Sequence, residues 1–76
     1  MFENKTILIT GGTGSLGQAL TKRLLEMDVS TIRIFSRNES KQIEMEDNIT
    51  DDRLRFFIGD VRDLHRLSKA VEGADF

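Results

Sequence analysis

The 76-residue sequence contains no cysteine, no proline and no tyrosine. Without thiols, neither a disulfide nor a thiolate metal site can staple a chain of this length, where one hydrophobic core is marginal by itself. That usage fits a reducing compartment, while the missing proline excludes nothing by itself. An excess of charge of either sign is also lacking: 13 acidic residues face 11 basic ones, for a net charge of −2. The two signs are interleaved, which leaves no basic face for nucleic acid and no polybasic patch for a membrane surface. No apolar run approaches the ~20 residues of a membrane span. Met1-Phe2-Glu3-Asn4-Lys5 has no basic region leading into a long apolar stretch, so it does not read as a secretory signal. The expectation is one soluble, cytoplasmic domain with no nucleic-acid or membrane partner.

Glycine, by contrast, is concentrated where it can work. The apolar run Ile7-Leu8-Ile9 leads directly into Thr10-Gly11-Gly12-Thr13-Gly14-Ser15-Leu16-Gly17, and an amphipathic segment follows. The order of strand, glycine turn and helix is that of a dinucleotide site. The segment reads as TGxxGxxG through Gly11, Gly14 and Gly17, and as GxGxxG through Gly12, Gly14 and Gly17. The first glycine permits the tight turn, Gly14 lets backbone N–H groups approach a pyrophosphate, and Gly17 lets the helix pack close to the sheet. The anion then sits at the helix N-terminus, where unpaired N–H groups and the dipole favour it. A purely structural glycine turn is the competing account.

Strands and helices alternate along the rest of the chain. Lys5 to Thr10 reads as the first strand and Ser15 to Met27 as the first helix, with Leu16, Leu20, Leu24 and Met27 at helical spacing. Thr31 to Ser36, rich in β-branched and aromatic residues, is the second strand. Asn38 to about Asn48 forms a polar second helix. Asp51-Asp52 turns the chain into a third strand, Leu54 to Gly59. Asp63 caps a third helix whose inner face is Leu64, Leu67 and Val71, and Gly73 stops it. Ala74-Asp75-Phe76 reads as the start of a fourth strand, cut as it begins. The fold class is α/β, a Rossmann-type βαβαβα half of a doubly wound parallel sheet with strand order 3-2-1.

The end of the second strand bears on the ligand. A site for NAD places an acid there, about 20 residues past the glycines, to bind the ribose 2′-hydroxyl. Here the residues are Phe35-Ser36-Arg37. A hydroxyl and a guanidinium suit a 2′-phosphate, which Arg37 can pair with bidentately, and Lys41 lies one helical turn further on. Glu39 nearby keeps a solvated helix start open as the alternative. Asp60 and Val61 end the third strand at the ligand-binding edge of such sheets, where Asp60 can accept from an adenine amino group or merely cap the loop. His65 falls on the outer face of the third helix. Glu44, Glu46, Asp47, Asp51 and Asp52 match no calcium-loop spacing and read as solvated surface. Phe56 and Phe57 are expected in the core, with one of them towards the adenine.

From TGGTGSLG onward the chain resembles the short-chain dehydrogenase superfamily, which uses a tyrosine and lysine pair as acid and base; with no tyrosine, no catalytic residue is assigned and the 76-residue chain alone is expected to be inactive. KTILITGGTGSLGQALTKRLLE, IRIFSRNESKQIEM and RLRFFIGDVRDLHRL resemble more specifically the bacterial polysaccharide-biosynthesis UDP-N-acetylglucosamine 4,6-dehydratases, some of which also invert C5. The likeness covers essentially the whole chain, and its distinctive parts are SRNESKQ and FFIGDVRD. It implies NADP as cofactor, with pyrophosphate contacts at Thr13, Gly14, Ser15 and Leu16 beside Gly11 and Gly17. It also implies 2′-phosphate contacts at Arg37, Asn38, Lys41 and Gln42 next to Ser36, and adenine contacts at Asp60 and Val61. It further implies a UDP-sugar substrate and a lyase reaction; the nearness of Met1 to the first strand resembles the short soluble members. Self-association is expected through the edge of the first strand. A stand-alone nucleotide-binding or sensing module is the alternative function, and an interaction domain without ligand a third.

Overall fold

The structure, a computed structural model, describes residues 2–11 and 13–76. The part expected of Gly12 in the glycine turn therefore lies outside the described residues, as does Met1. The elements run β1 (Thr6–Thr10), α1 (Ser15–Leu25), β2 (Thr31–Ser36), α2 (Glu39–Asn48), β3 (Leu54–Ile58) and α3 (Leu64–Val71). The strands form one parallel sheet in the order β1-β2-β3, the expected 3-2-1 read from the opposite edge. Thr10 pairs with Phe35, and Ser36 with Ile58. The carboxyl ends of all three strands are thereby brought level, and the loops that leave them share one rim.

Alternation along the strands divides the apolar residues between two faces. Ile7, Ile9, Ile32, Ile34 and Leu54 form a single cluster with Leu24, Val29, Met45 and Ile49 from α1, α2 and their connections. Ile32, Ile34 and Met45 are fully buried there. Phe35, pointing to the opposite face, is buried outside that cluster. Fully covering an aliphatic side chain of this kind contributes roughly 1.5–3 kcal/mol.

The helix faces differ from the spacing-based expectation. In α1 the buried stripe is Gly17, Thr21 and Leu24, whereas Leu16 is 83% exposed and Leu20 45% exposed. Gly17 has no side chain to hold the helix off the sheet, so the helix turns its glycine inward and carries Leu16 out. Thr21 satisfies its hydroxyl within the helix by donating to the Gly17 carbonyl at 2.8 Å. The helix ends at Leu25 rather than Met27, because the N–H groups of Glu26 and Met27 bond back to Arg23 and Leu24 in a tighter last turn. In α3 the buried residue is Ala70, and Leu64 and Val71 of the expected face are exposed. A small residue again permits close approach. Arg33 reaches from β2 to donate to the Ala70 and Glu72 carbonyls at the C-terminal end of α3. A cation there complements the helix dipole.

The turns and caps follow their sequence signals. Asn38 accepts from the Lys41 N–H and Asp63 from the Arg66 N–H. Gly73 adopts φ 77°, the left-handed geometry that ends a helix. Beyond it, Phe76 accepts from the Leu8 N–H at 2.9 Å, and the Asp75 N–H donates to Thr6 at 2.8 Å. The Asp75 carboxylate takes the Thr6 N–H as well. Residues 75–76 thus lie along the outer edge of β1, where the sequence suggested a fourth strand.

Candidate functional site

At the end of β1 the chain must turn sharply to reach α1. Gly11 takes φ 66°, a conformation that costs an L side chain roughly 1–2 kcal/mol. Its N–H donates to the Phe35 carbonyl and its own carbonyl receives the Gly14 N–H, so the turn is tied to β2 and to itself. Gln18 fastens it from α1 by donating to the Thr13 carbonyl at 2.8 Å. Gly14 occupies the N-cap of α1 and supplies no capping side chain. The first-turn N–H groups, which have no partner within a helix, are therefore left to an outside acceptor.

The second wall rises from the end of β2. Ser36 is buried and its Oγ accepts from Gln42 Nε2 at 3.0 Å. The same amide nitrogen donates to the Phe57 carbonyl at 2.9 Å, so Gln42 is committed to bracing β2 against β3. Arg37 and Lys41, past the strand end, are exposed. The third wall is the end of β3, where Gly59 stands against Phe35. A Cβ at position 59 would lie 2.9 Å from the tip of the Phe35 ring, closer than real contacts allow.

These walls enclose a cavity of about 530 Å³. It gathers Gly11, Thr13 and Gly14 from the glycine turn, Ser36, Arg37, Asn38 and Lys41 from the end of β2, and Asp60 and Val61 from the end of β3. Nine of the thirteen residues singled out from the sequence thus meet at one site. Of the other four, Ser15 lines a smaller adjoining cavity, Leu16 faces solvent, Gly17 is inside α1 and Gln42 is the brace beneath. Phe35, Gly59 and Arg62 complete the lining and were not among the expected residues. Phe35 is the aromatic residue of this lining and is 1% exposed. Of Phe56 and Phe57, expected in the core, Phe56 packs half-buried against the core cluster, Phe57 is half-buried, and both line a separate groove. Glu39 is exposed and does not line the cavity.

Charge inside the cavity is unevenly distributed. Asp60 is the one carboxylate among the described lining residues, against Arg37, Lys41 and Arg62. Arg62 grips Asp60 with Nη2 at 2.7 Å and with its own backbone N–H at 2.9 Å, while Arg37 Nη1 touches the same carboxylate at 3.3 Å. Arg62 foremost, and Arg37 after it, hold the Asp60 carboxyl well below the usual carboxylate range. The cavity therefore carries a surplus of positive charge at neutral pH. Its donors fit a dinucleotide: Gly11 and Gly14 leading into a helix N-terminus, and the cations Arg37 and Lys41 beyond the second strand. Among the described residues, no group of His, Asp and Glu side chains is arranged to hold a metal.

A parallel sheet with helices, a glycine turn between its first strand and first helix, and a crevice at the strands' carboxyl ends define the Rossmann-type α/β class. Residues 7–76 match the family model described as polysaccharide biosynthesis protein, and the chain belongs to that family. It is 53% identical over 77 residues to the UDP-N-acetylglucosamine 4,6-dehydratase (inverting) of Campylobacter jejuni, covering all of this chain and 23% of that protein. It is 45% identical over 80 residues to the UDP-glucose 4-epimerase of Rickettsia canadensis, again covering all of this chain and 24% of that protein. Among solved structures, Pen from Bacillus thuringiensis superposes with a TM-score of 0.94 at 35% identity, over 99% of this chain and 23% of that one. The Bordetella bronchiseptica enzyme WbmF, solved in complex with NAD+, shares the fold with a TM-score of 0.75 at 22% identity, over 97% of this chain and 22% of that one. The chain thus spans about a quarter of the length of these relatives. No helix among the described residues is long and apolar enough to cross a membrane.

Proposed function

We propose that the cavity binds NADP and that the chain is the cofactor-binding half domain of a UDP-sugar 4,6-dehydratase of the UDP-N-acetylglucosamine class. The observation that carries the cofactor is the pairing of Arg37 and Lys41 beside Ser36, where an acid would serve a free ribose hydroxyl. The substrate class is supported by the names of the relatives, both of which refer to a UDP-sugar. The dehydratase is preferred to the epimerase on the higher identity, 53% against 45%.

In this reading Gly14 and the first turn of α1 hold the pyrophosphate, and Arg37 and Lys41 hold the 2′-phosphate. Val61 lies beside the adenine, and Asp60 stands within reach of its amino group. Asn38 orders the start of α2 so that Lys41 projects towards the same phosphate, while Gln42 fixes the strand ends from below. The nicotinamide, when bound, would supply reversible hydride acceptance; a 4,6-dehydratase loses water across C5 and C6 between giving up a hydride from C4 and regaining it at C6, so the sugar is dehydrated while the cofactor is unchanged overall. These residues place and retain the cofactor; none of them is assigned a proton-transfer step. Homo-oligomeric assembly belongs to the same proposal.

The test is a titration of NADP+ and NAD+ at one salt concentration, with Arg37→Ala beside the unaltered chain. One or two charge-assisted hydrogen bonds favour NADP by roughly ten- to a hundredfold. The substitution is expected to remove most of that preference. Equal affinities for the two cofactors, or a preference untouched by Arg37→Ala, would refute the assignment.

A further inference from the structure

Arg37 and Lys41 account for attraction to a phosphate, yet Asp60 lines the same cavity and would repel one. We propose that Arg62 is a specificity-determining positioning residue: by clamping Asp60 it cancels the carboxylate of the cavity and frees Arg37 for the 2′-phosphate. The proposal rests on the NADP reading and deepens it.

The geometry separates the two arginines sharply. Arg62 gives Asp60 a two-pronged contact, Nε on Oδ1 at 3.2 Å and Nη2 on Oδ2 at 2.7 Å. Its backbone N–H adds a third bond to Oδ1 at 2.9 Å. Arg37 contributes one bond to Oδ2 at 3.3 Å, at the long end of the range for such contacts. The carboxylate is therefore bound chiefly to Arg62, two residues away along the same loop, where little chain entropy opposes the pairing. The Arg37 side chain is 71% exposed and keeps most of its guanidinium donors free. An incoming phosphate dianion can take Arg37 from Asp60 without leaving that carboxylate unpaired. Without Arg62, Asp60 would do two things: hold Arg37 back, and face the phosphate with an uncancelled negative charge. Both effects act on the 2′-phosphate, whereas the adenine contact of Asp60 is common to nucleotides with and without it, so Arg62 would govern discrimination apart from any change in general affinity.

Two probes that differ by the 2′-phosphate alone, adenosine 2′,5′-bisphosphate and adenosine 5′-monophosphate, are titrated calorimetrically into the chain. The readout is the ratio of their affinities, in which contacts to adenine and 5′-phosphate cancel. Arg62→Ala is expected to lower that ratio about tenfold, the order expected of one uncompensated carboxylate beside a dianion in a partly solvated cavity. Adding Asp60→Asn to Arg62→Ala is expected to restore it to within about twofold, a coupling that a double-mutant cycle isolates. Circular dichroism checks folding, and Arg62→Gln serves as a second variant with the longer side chain retained. A wild-type preference that survives Arg62→Ala and Arg62→Gln overturns this proposal alone, as does failure of Asp60→Asn to restore the ratio. A wild-type chain that does not distinguish the two probes overturns the cofactor reading and this proposal with it.

Discussion

Gly59 owes its identity to a neighbour 24 positions earlier in the chain. The tip of the Phe35 ring lies where a Cβ at 59 would have to be, 2.9 Å away, and the Arg66 Cβ closes the other side at 3.4 Å. Phe35 is almost fully buried and cannot yield by swinging into solvent. Gly59→Ala is therefore expected to push the ring out of place and cost about 1–3 kcal/mol, the usual range for overpacking. It should also weaken nucleotide binding, because Phe35 and Gly59 both line the cavity; urea denaturation and a cofactor titration check the two effects separately. Gly11, Arg37 and Asp60 were legible from sequence because each sits at a fixed offset from a strand end. Gly59 and Arg62 were not, since their roles arise from Phe35 and Asp60 across a turn. Gln42 shows another limit: the resemblance implies a 2′-phosphate contact there, and no sequence signal announced that its amide spans Ser36 and Phe57.

At the scale of elements, the strands announced themselves and the helices did so only in part. Thr31–Ser36 is bounded as expected, because β-branched residues flanked by turn formers leave little choice. The apolar spacing in α1 and α3 was misleading for a common physical reason. Gly17 and Ala70 are the residues that approach the sheet, and a scheme that searches for large apolar side chains passes over small ones. The entry to β3 carries a further device. Arg53 pairs with Asp51 at 3.0 Å and donates to the carbonyls of Leu25 and Met27, joining the end of α1 to the start of β3. The Asp51 carboxyl is lowered from its ordinary value of 3.8, the side-chain bond from Arg53 being the main cause. A carboxyl depressed in the folded state stabilises the fold fully above its unfolded value, and that contribution disappears as the pH falls through the folded value. Asp60 acts in the same direction through Arg62. Stability should accordingly fall from about pH 5 downwards. In Asp51→Asn the slope of melting temperature against pH in that window should be shallower, and an unchanged slope would remove Asp51 from the account.

For the whole molecule, the two edges of the sheet are treated differently. Along β3 the outward carbonyls of Leu54 and Ile58 receive arginine side chains, Arg55 on the first and Arg66 on the second. Charged groups on an edge discourage pairing with another sheet. Along β1 the edge through which self-association is expected is partly covered by residues 75–76, whose bonds reach from Thr6 to Leu8. Outward-facing N–H groups alternate along a strand, so the next in line after Thr6 and Leu8 is that of Thr10. If chains associate, β1 is the edge that permits it. A twofold axis would then place β1 beside its copy and extend the sheet on both sides, enlarging a core that is marginal at this length. Sedimentation equilibrium across a concentration series is expected to show self-association, and a stable monomer at high micromolar concentration would refute it. Hydrogen exchange locates the contact: the Thr10 amide should become more protected as concentration rises, while Phe56 and Ile58 on the arginine-guarded edge should not. Protection appearing on β3 instead would mean that Arg55 and Arg66 do not guard that edge.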